Sequence, residues 1–241
     1  MKQYLSPLML VVRHSIYKVL WIFGIMILGE TAFFLISGIH SHHLYHALNE
    51  IPAEVFLYGA IVLLAIILSH ALCDRGGKMN NTILRLGISE QALYWLQAIY
   101  NTLVFALLFM LQGLLFVLFS LLYGAANPEG YNVQSILVTS YQHWTFHVVF
   151  PQDNVLCLIT GLMISIGLGI CTAAYPMRQR HGMRSITTAV MLVLALLCTF
   201  MQEEGGHLDI SVSLVYGLIP CLLCIGSSLC GVLTMEVDDH G

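Results

Sequence analysis

Glu30 stands in the stretch GIMILGETAFFLI, flanked by Gly29 and Thr31, and is the one acid well inside an apolar run. A carboxyl group in such a setting needs a proton, a cation or a hydrogen-bonding partner, because an isolated charge there is costly. Two roles fit it: a functional acid at membrane depth, or a protonated, hydrogen-bonded packing residue. A first span that starts early would instead bring it towards the outer boundary. A second polar set lies in the run that follows residue 91, where Tyr94, Gln97, Asn101 and Gln112 are spaced three, four and eleven apart. Those steps return to nearly the same angle on a helix. Amides there either hydrogen-bond to adjacent helices or line a route for a polar substrate.

Histidine is over-used, with eleven against nine Lys and Arg together. HSHHLYH offers His42 and His46 at the i, i+4 spacing that presents two imidazoles to a metal, and Glu203, Glu204, His207 and Asp209 could add ligands. The zinc-protease pattern H-E-x-x-H is absent. Interfacial or loop histidines are the plainer reading, so no metal is expected, with His42 and His46 as the candidates if one is bound. The seven cysteines lie in or beside apolar runs. Cys221 and Cys224 form a C-x-x-C within such a run, where free Cys behaves as a small hydrophobe, and no disulfide framework is expected.

The chain that must position these groups has 241 residues, 58% of them hydrophobic and 9% charged. Its mean hydropathy is +0.83. A soluble domain is about one quarter charged, so the composition indicates an all-α integral membrane protein with a single transmembrane domain over residues 1–241. Six spans are expected, at residues 18–39, 54–72, 92–123, 154–175, 185–201 and 210–233. With both termini cytoplasmic, Lys2, Arg13, Lys18, Arg75, Lys78, Arg85, Arg178, Arg180 and Arg184 all fall on the inner side. Lys and Arg follow that asymmetry in membrane proteins, and chance would produce it only about once in a few hundred arrangements. The third run would be about 48 Å long as a helix, well beyond the roughly 30 Å hydrocarbon core, so it must tilt or project. Ser6 and Pro7 read as the start of an amphipathic N-terminal helix lying along the inner surface. The aromatic-rich outer connection of residues 124–153 reads as a partly helical interfacial cap. Gly161, Ser165, Gly169 and Ala173, four apart, form a ridge that lets another helix come close.

Between the second and third runs lies CDRGGKMNNTILRLGISEQ, residues 73–91. Gly76 and Gly77 end one helix, Asn80 or Asn81 can cap a new one, Gly87 can end it, and Ser89 caps the third run. About two helical turns bearing Ile83, Leu84 and Leu86 beside Arg85 are too short to be stable alone in water. Their apolar side chains either dip into the lipid interface or dock on a partner.

The six spans, the amphipathic N-terminal helix and GGKMNNTILRLGISEQALYWLQAIYNTLVFALLF resemble the permease subunit of a type-2 ABC exporter. That family's inner connection after the second span is similar to K-x-x-x-T-x-x-x-L-x-I-S, and Lys78, Thr82, Leu86, Ile88 and Ser89 stand at those places. The resemblance implies that the short helix, with Ile83, Leu84 and Arg85, couples to a cytosolic ATPase. It further implies a dimer with a second copy or a related permease, residence in a bacterial plasma membrane, and outward movement of an amphipathic peptide or bacteriocin, drug or lipid, as in antimicrobial peptide resistance. The chain has no G-x-x-x-x-G-K-[ST], so ATP and Mg belong to the partner, and this chain is expected to be a transport subunit with no cofactor of its own. Glu30, Gln97, Asn101 and Gln112 are the candidates for the translocation path. The competing expectations are an intramembrane metal-dependent enzyme and a non-transporting scaffold or sensor. No nucleic-acid partner is expected.

Overall fold

Residues 2–36 contain no glycine or proline between Leu8 and Phe23, so nothing interrupts the hydrogen-bond ladder there, and they form one helix, α1 (Lys2–Ile36). The computed structural model describes residues 2–41, 43–70, 89–128, 134, 138–139, 155–182, 186–204 and 218–238. Among these the elements are helical and no strand occurs. The expected break between a surface helix and a span at Lys18 is absent; the helix also starts ahead of Ser6 and is about 52 Å long. From Ser15 onward α1 is committed to the bundle, since Ser15 is fully buried and its hydroxyl donates to the Tyr100 hydroxyl at 2.9 Å.

A 3-10 turn (Gly38–His40) and a short helix, α2 (Leu44–Asn49), follow. Leu44, Ala47 and Leu48 recur at helical spacing and are buried, which folds α2 down onto the bundle as a cap. The turn passes close beneath it: a Cβ on Gly38 would lie 2.8 Å from the Ala47 carbonyl oxygen. Helix α3 (Ala53–His70) starts at Pro52, whose carbonyl accepts from the Val55 and Phe56 amides at 3.1 and 3.4 Å. Its buried face, Leu57, Ala60, Ile61, Leu64, Ala65 and Leu68, is the three-four stripe of a packed helix.

Helix α4 (Glu90–Ala126) is the centre of the fold, with 37 residues and contacts to the turn, α1, α2, α3 and α5. Ser89 caps it as expected, its side chain accepting from the Ala92 amide at 3.3 Å. Its other end is tied to the cap, where the Tyr123 hydroxyl donates to the Ser41 carbonyl at 2.9 Å. Helix α5 (Val155–Arg180) lies along α4. It continues past the expected end at Tyr175 because Pro176 removes only one backbone bond, and it stops at Gly182, whose φ of 71° a side-chain-bearing residue rarely adopts. Helices α6 (Thr187–Glu204) and α7 (Ile219–Asp238) complete the bundle against α5.

Among the described residues three helical stretches are long and apolar enough to cross a membrane: Ser15–His40, Leu44–His70 and Glu90–Ala126. Thr187–Cys198 and Ile219–Gly231 are shorter apolar helices. The end of the bundle carrying α2 is called the cap end below, and the end carrying Ser89 the basic end.

Candidate functional site

All four polar residues of the α4 face are buried, with Gln97 and Asn101 at 0% exposure, Tyr94 at 1% and Gln112 at 2%. They do not form one lining. Eleven residues separate Asn101 from Gln112, about 16 Å along the axis, and the fully buried Phe105 and Leu108 fill the interval. The face is therefore split into two tiers.

The tier nearer the basic end is held by α3 and α5. Gln97 Nε2 donates to the Leu68 carbonyl at 3.4 Å. Asn101 Nδ2 donates to Thr172 Oγ1 at 2.9 Å, and the Thr172 hydroxyl is directed at the Leu168 carbonyl, 2.6 Å away. That arrangement fixes the amide, because a hydroxyl whose proton is committed to a carbonyl can only accept from Asn101. Among the described residues Gln97 Oε1, Asn101 Oδ1 and the Tyr94 hydroxyl have no hydrogen-bond partner. The seam is tight beside them: a Cβ on Gly169 would lie 2.6 Å from the Thr102 backbone nitrogen and 2.8 Å from its Cα. The small-residue ridge thus meets α4 backbone to backbone.

The tier nearer the cap end joins α1 to α4. Gln112 Nε2 donates to Glu30 Oε2 at 3.3 Å, and Glu30 is 1% exposed. Among the described residues Glu30 Oε1 and Gln112 Oε1 have no hydrogen-bond partner. Towards the cap end the space above is closed by Phe34 and Phe119, whose rings stack with centroids 4.9 Å apart. Towards the basic end Met26 and Leu108 are buried one turn below Glu30 and Gln112 respectively. The Phe56 ring of α3 packs directly on the Cα of Gly29, where a side chain would meet it.

At the basic end, Arg178 Nη2 donates to the Ser227 carbonyl at 2.7 Å, and the guanidinium fills the space over Gly231. His181 Nε2 lies 3.2 Å from Glu90 Oε2, linking the end of α5 to the first turn of α4. Neither contact was foreseen from sequence, nor were Thr172, the Phe34–Phe119 stack or the cap.

The coupling candidates Lys78, Thr82, Ile83, Leu84, Arg85, Leu86 and Ile88 lie outside the described residues, as do His42, Gly130 and most of the connection 124–153. His46 is exposed on α2, with its ring centroid 6.1 Å from that of His43. Among the described residues no three His, Cys, Asp or Glu side chains converge as metal ligands. Cys221 is a buried free thiol and Cys224 a half-buried one; the Cys171 thiol sits 3.3 Å from the Ser228 hydroxyl.

The chain matches no known family model, no curated protein and no solved structure.

Proposed function

We propose that this chain is the six-span permease subunit of a type-2 ABC exporter, with both termini cytoplasmic, working with a separate ATPase that carries ATP and Mg. In this reading two permease chains pair in a bacterial plasma membrane and move an amphipathic peptide, drug or lipid outward. Of the four path candidates, Glu30 and Gln112 lie along or beside its path in this reading, while Gln97 and Asn101 pack α4 against α3 and α5. The observation that supports the reading most directly is mechanical. Segment 73–91 runs into a Ser89-capped helix of 37 residues that touches α1, α3 and α5 and reaches the cap at its far end. A push on the short polar segment is passed on as movement of a rod about 55 Å long rather than absorbed in a hinge.

Docking through the apolar triplet predicts that Leu84→Asp weakens capture of the ATPase from detergent extracts by at least about tenfold, since burying a leucine is worth roughly 1.5 to 3 kcal/mol. The melting temperature of the permease alone should not change. Arg85→Ala, at the rim, should cost less. Wild-type capture by Leu84→Asp would make the segment an interfacial anchor and remove the main support for an ATPase partner.

A further inference from the structure

We infer that Glu30 and Gln112 form an occluded site for one exchangeable small monovalent cation, a proton or a sodium ion. The inference deepens the reading of Glu30 as part of a transport path; it requires that α1 and α4 span a membrane but not that an ATPase binds.

The argument begins with what faces the carboxyl group. Its single hydrogen bond is to a neutral amide donor, which leaves Glu30 Oε1 and Gln112 Oε1 unpaired within the same side-chain pair. Both unpaired atoms are oxygens, so what is missing from the site is positive: a proton on the acid, or an ion bridging carboxylate and amide carbonyl. Among the described residues none supplies such a charge. The titratable groups on the elements that pack around the site include Lys18 on α1, Glu54, Tyr58 and His70 on α3, Glu90 and Tyr123 on α4, and His40, His43, His46 and Glu50 in the cap; Lys18, His70 and Glu90 stand towards the basic end, away from the site. Among the described residues Glu30 forms no salt bridge.

At Asn101 the amide N–H is committed to Thr172 and both partners are neutral, so that pair leaves an oxygen unpaired but no charge to compensate. An acid at 1% exposure with one weak amide contact is compensated only by something that arrives from solution. Its closure on both sides makes that exchange conditional on movement. Phe34 and Phe119 seal the cap side, and Met26 and Leu108 the other. Loading or release therefore requires α1 to separate from α4, which ties occupancy to helix packing.

The test is infrared spectroscopy of the full chain reconstituted alone in lipid nanodiscs. In acid, sodium-free choline buffer the neutral carboxyl of Glu30 should give a carbonyl-stretch band that is missing in Glu30→Gln. If the proton is the occupant, raising the pH removes the band whatever the salt. If sodium competes for the site, sodium chloride suppresses the band at fixed pH and potassium or choline chloride does not. Should Glu30→Gln not yield folded protein, Gln112→Leu identifies the band by shifting its frequency when the amide contact is lost. A Glu30 band that stays constant across pH and sodium, or no such band even in acid, overturns the proposal. Because no ATPase is present, either result leaves the Leu84→Asp capture experiment to stand or fall separately.

Discussion

Asn101 and Gln112 sit on the same face of α4, three turns apart, and their surroundings differ in kind. Asn101 lies where α4 and α5 touch backbone to backbone at Thr102 and Gly169, and its amide is fixed by a hydroxyl whose own proton is already committed. Gln112 lies where α4 meets α1, and its partner is an acid with nothing else to hold it. Burial is complete in both places, so burial does not separate structure from function here. What separates them is whether the chain itself completes the chemistry. A neutral amide paired with a neutral hydroxyl is a finished contact apart from one oxygen, whereas a carboxyl paired with one amide still lacks a charge.

The largest effect is expected at the seam. Gly169→Val places methyl groups where the Thr102 backbone already stands, so α4 and α5 must move apart. Overpacking of this kind costs about 1 to 3 kcal/mol or more, read as a lowered melting temperature in detergent. Gly24 and Gly59 have nothing within 4 Å of an added Cβ, and alanine at either should leave the melt unchanged or raise it slightly. Equal losses at all three glycines would mean that the seam is no tighter than the bundle's exterior.

The next pair of substitutions bears on the tiers directly. Glu30→Gln keeps the shape and the hydrogen-bonding capacity of the side chain, so stability should hold while transport falls. Asn101→Leu should cost stability, by about 1 kcal/mol, and leave transport largely intact. Adding Thr172→Val to Asn101→Leu should cost less than the sum of the two single changes, because no polar partner is then left behind. Transport lost in Asn101→Leu at wild-type abundance, with Glu30→Gln unaffected, would reverse the assignment of the two tiers.

What could be read from the sequence follows from the range of the forces involved. The face shared by Tyr94, Gln97, Asn101 and Gln112 needed only helical angle arithmetic, and Ser89 announced itself as a cap by its place before a long apolar run. The helix each amide meets depends on residues 71 and 82 positions away, at Thr172 and Glu30, and no local pattern contains that. The split into two tiers follows from this, since Phe105 and Leu108 separate them only once the helices are packed. The cap is hidden for a different reason. The histidines of HSHHLYHALNE read most simply as interfacial or loop residues, while Leu44, Ala47 and Leu48, at the spacing of a buried helical face, carry the structural information. The polar residues of the N-terminal segment suggest a surface helix ending at Lys18, but no glycine or proline stands between Leu8 and Phe23, so the helix runs through that point.

A smaller effect is expected at the start of α4. Ser89→Ala removes an oxygen that accepts from the Ala92 amide, at a cost of about 1 kcal/mol for an N-cap of this kind. The change is confined to the first turn, so hydrogen exchange should quicken at residues 90–93 and remain as in the wild type around Gln112. Faster exchange along the whole helix would mean that the cap, rather than the packing against α5, holds the rod together.

The smallest effect is expected one residue further on, at the contact between Glu90 and His181. The two side chains lie 3.2 Å apart with exposures of 47% and 30%, so water and salt screen them, and exposed pairs are generally worth about 0 to 1 kcal/mol. The imidazole is charged only when protonated, and only then is the contact an ion pair. Glu90→Gln should therefore lower the melting temperature only slightly at low salt, with the difference from wild type shrinking as salt is raised. Nearby, Arg178 reaches the Ser227 carbonyl of α7 at 2.7 Å and fixes the end of α5 independently of Glu90. Arg178→Met should on that account cost more than Glu90→Gln and show less dependence on salt. If the two substitutions prove equal, and equally sensitive to salt, then the basic end is held by diffuse surface charge and the α5–α7 contact contributes no more than the exposed pair.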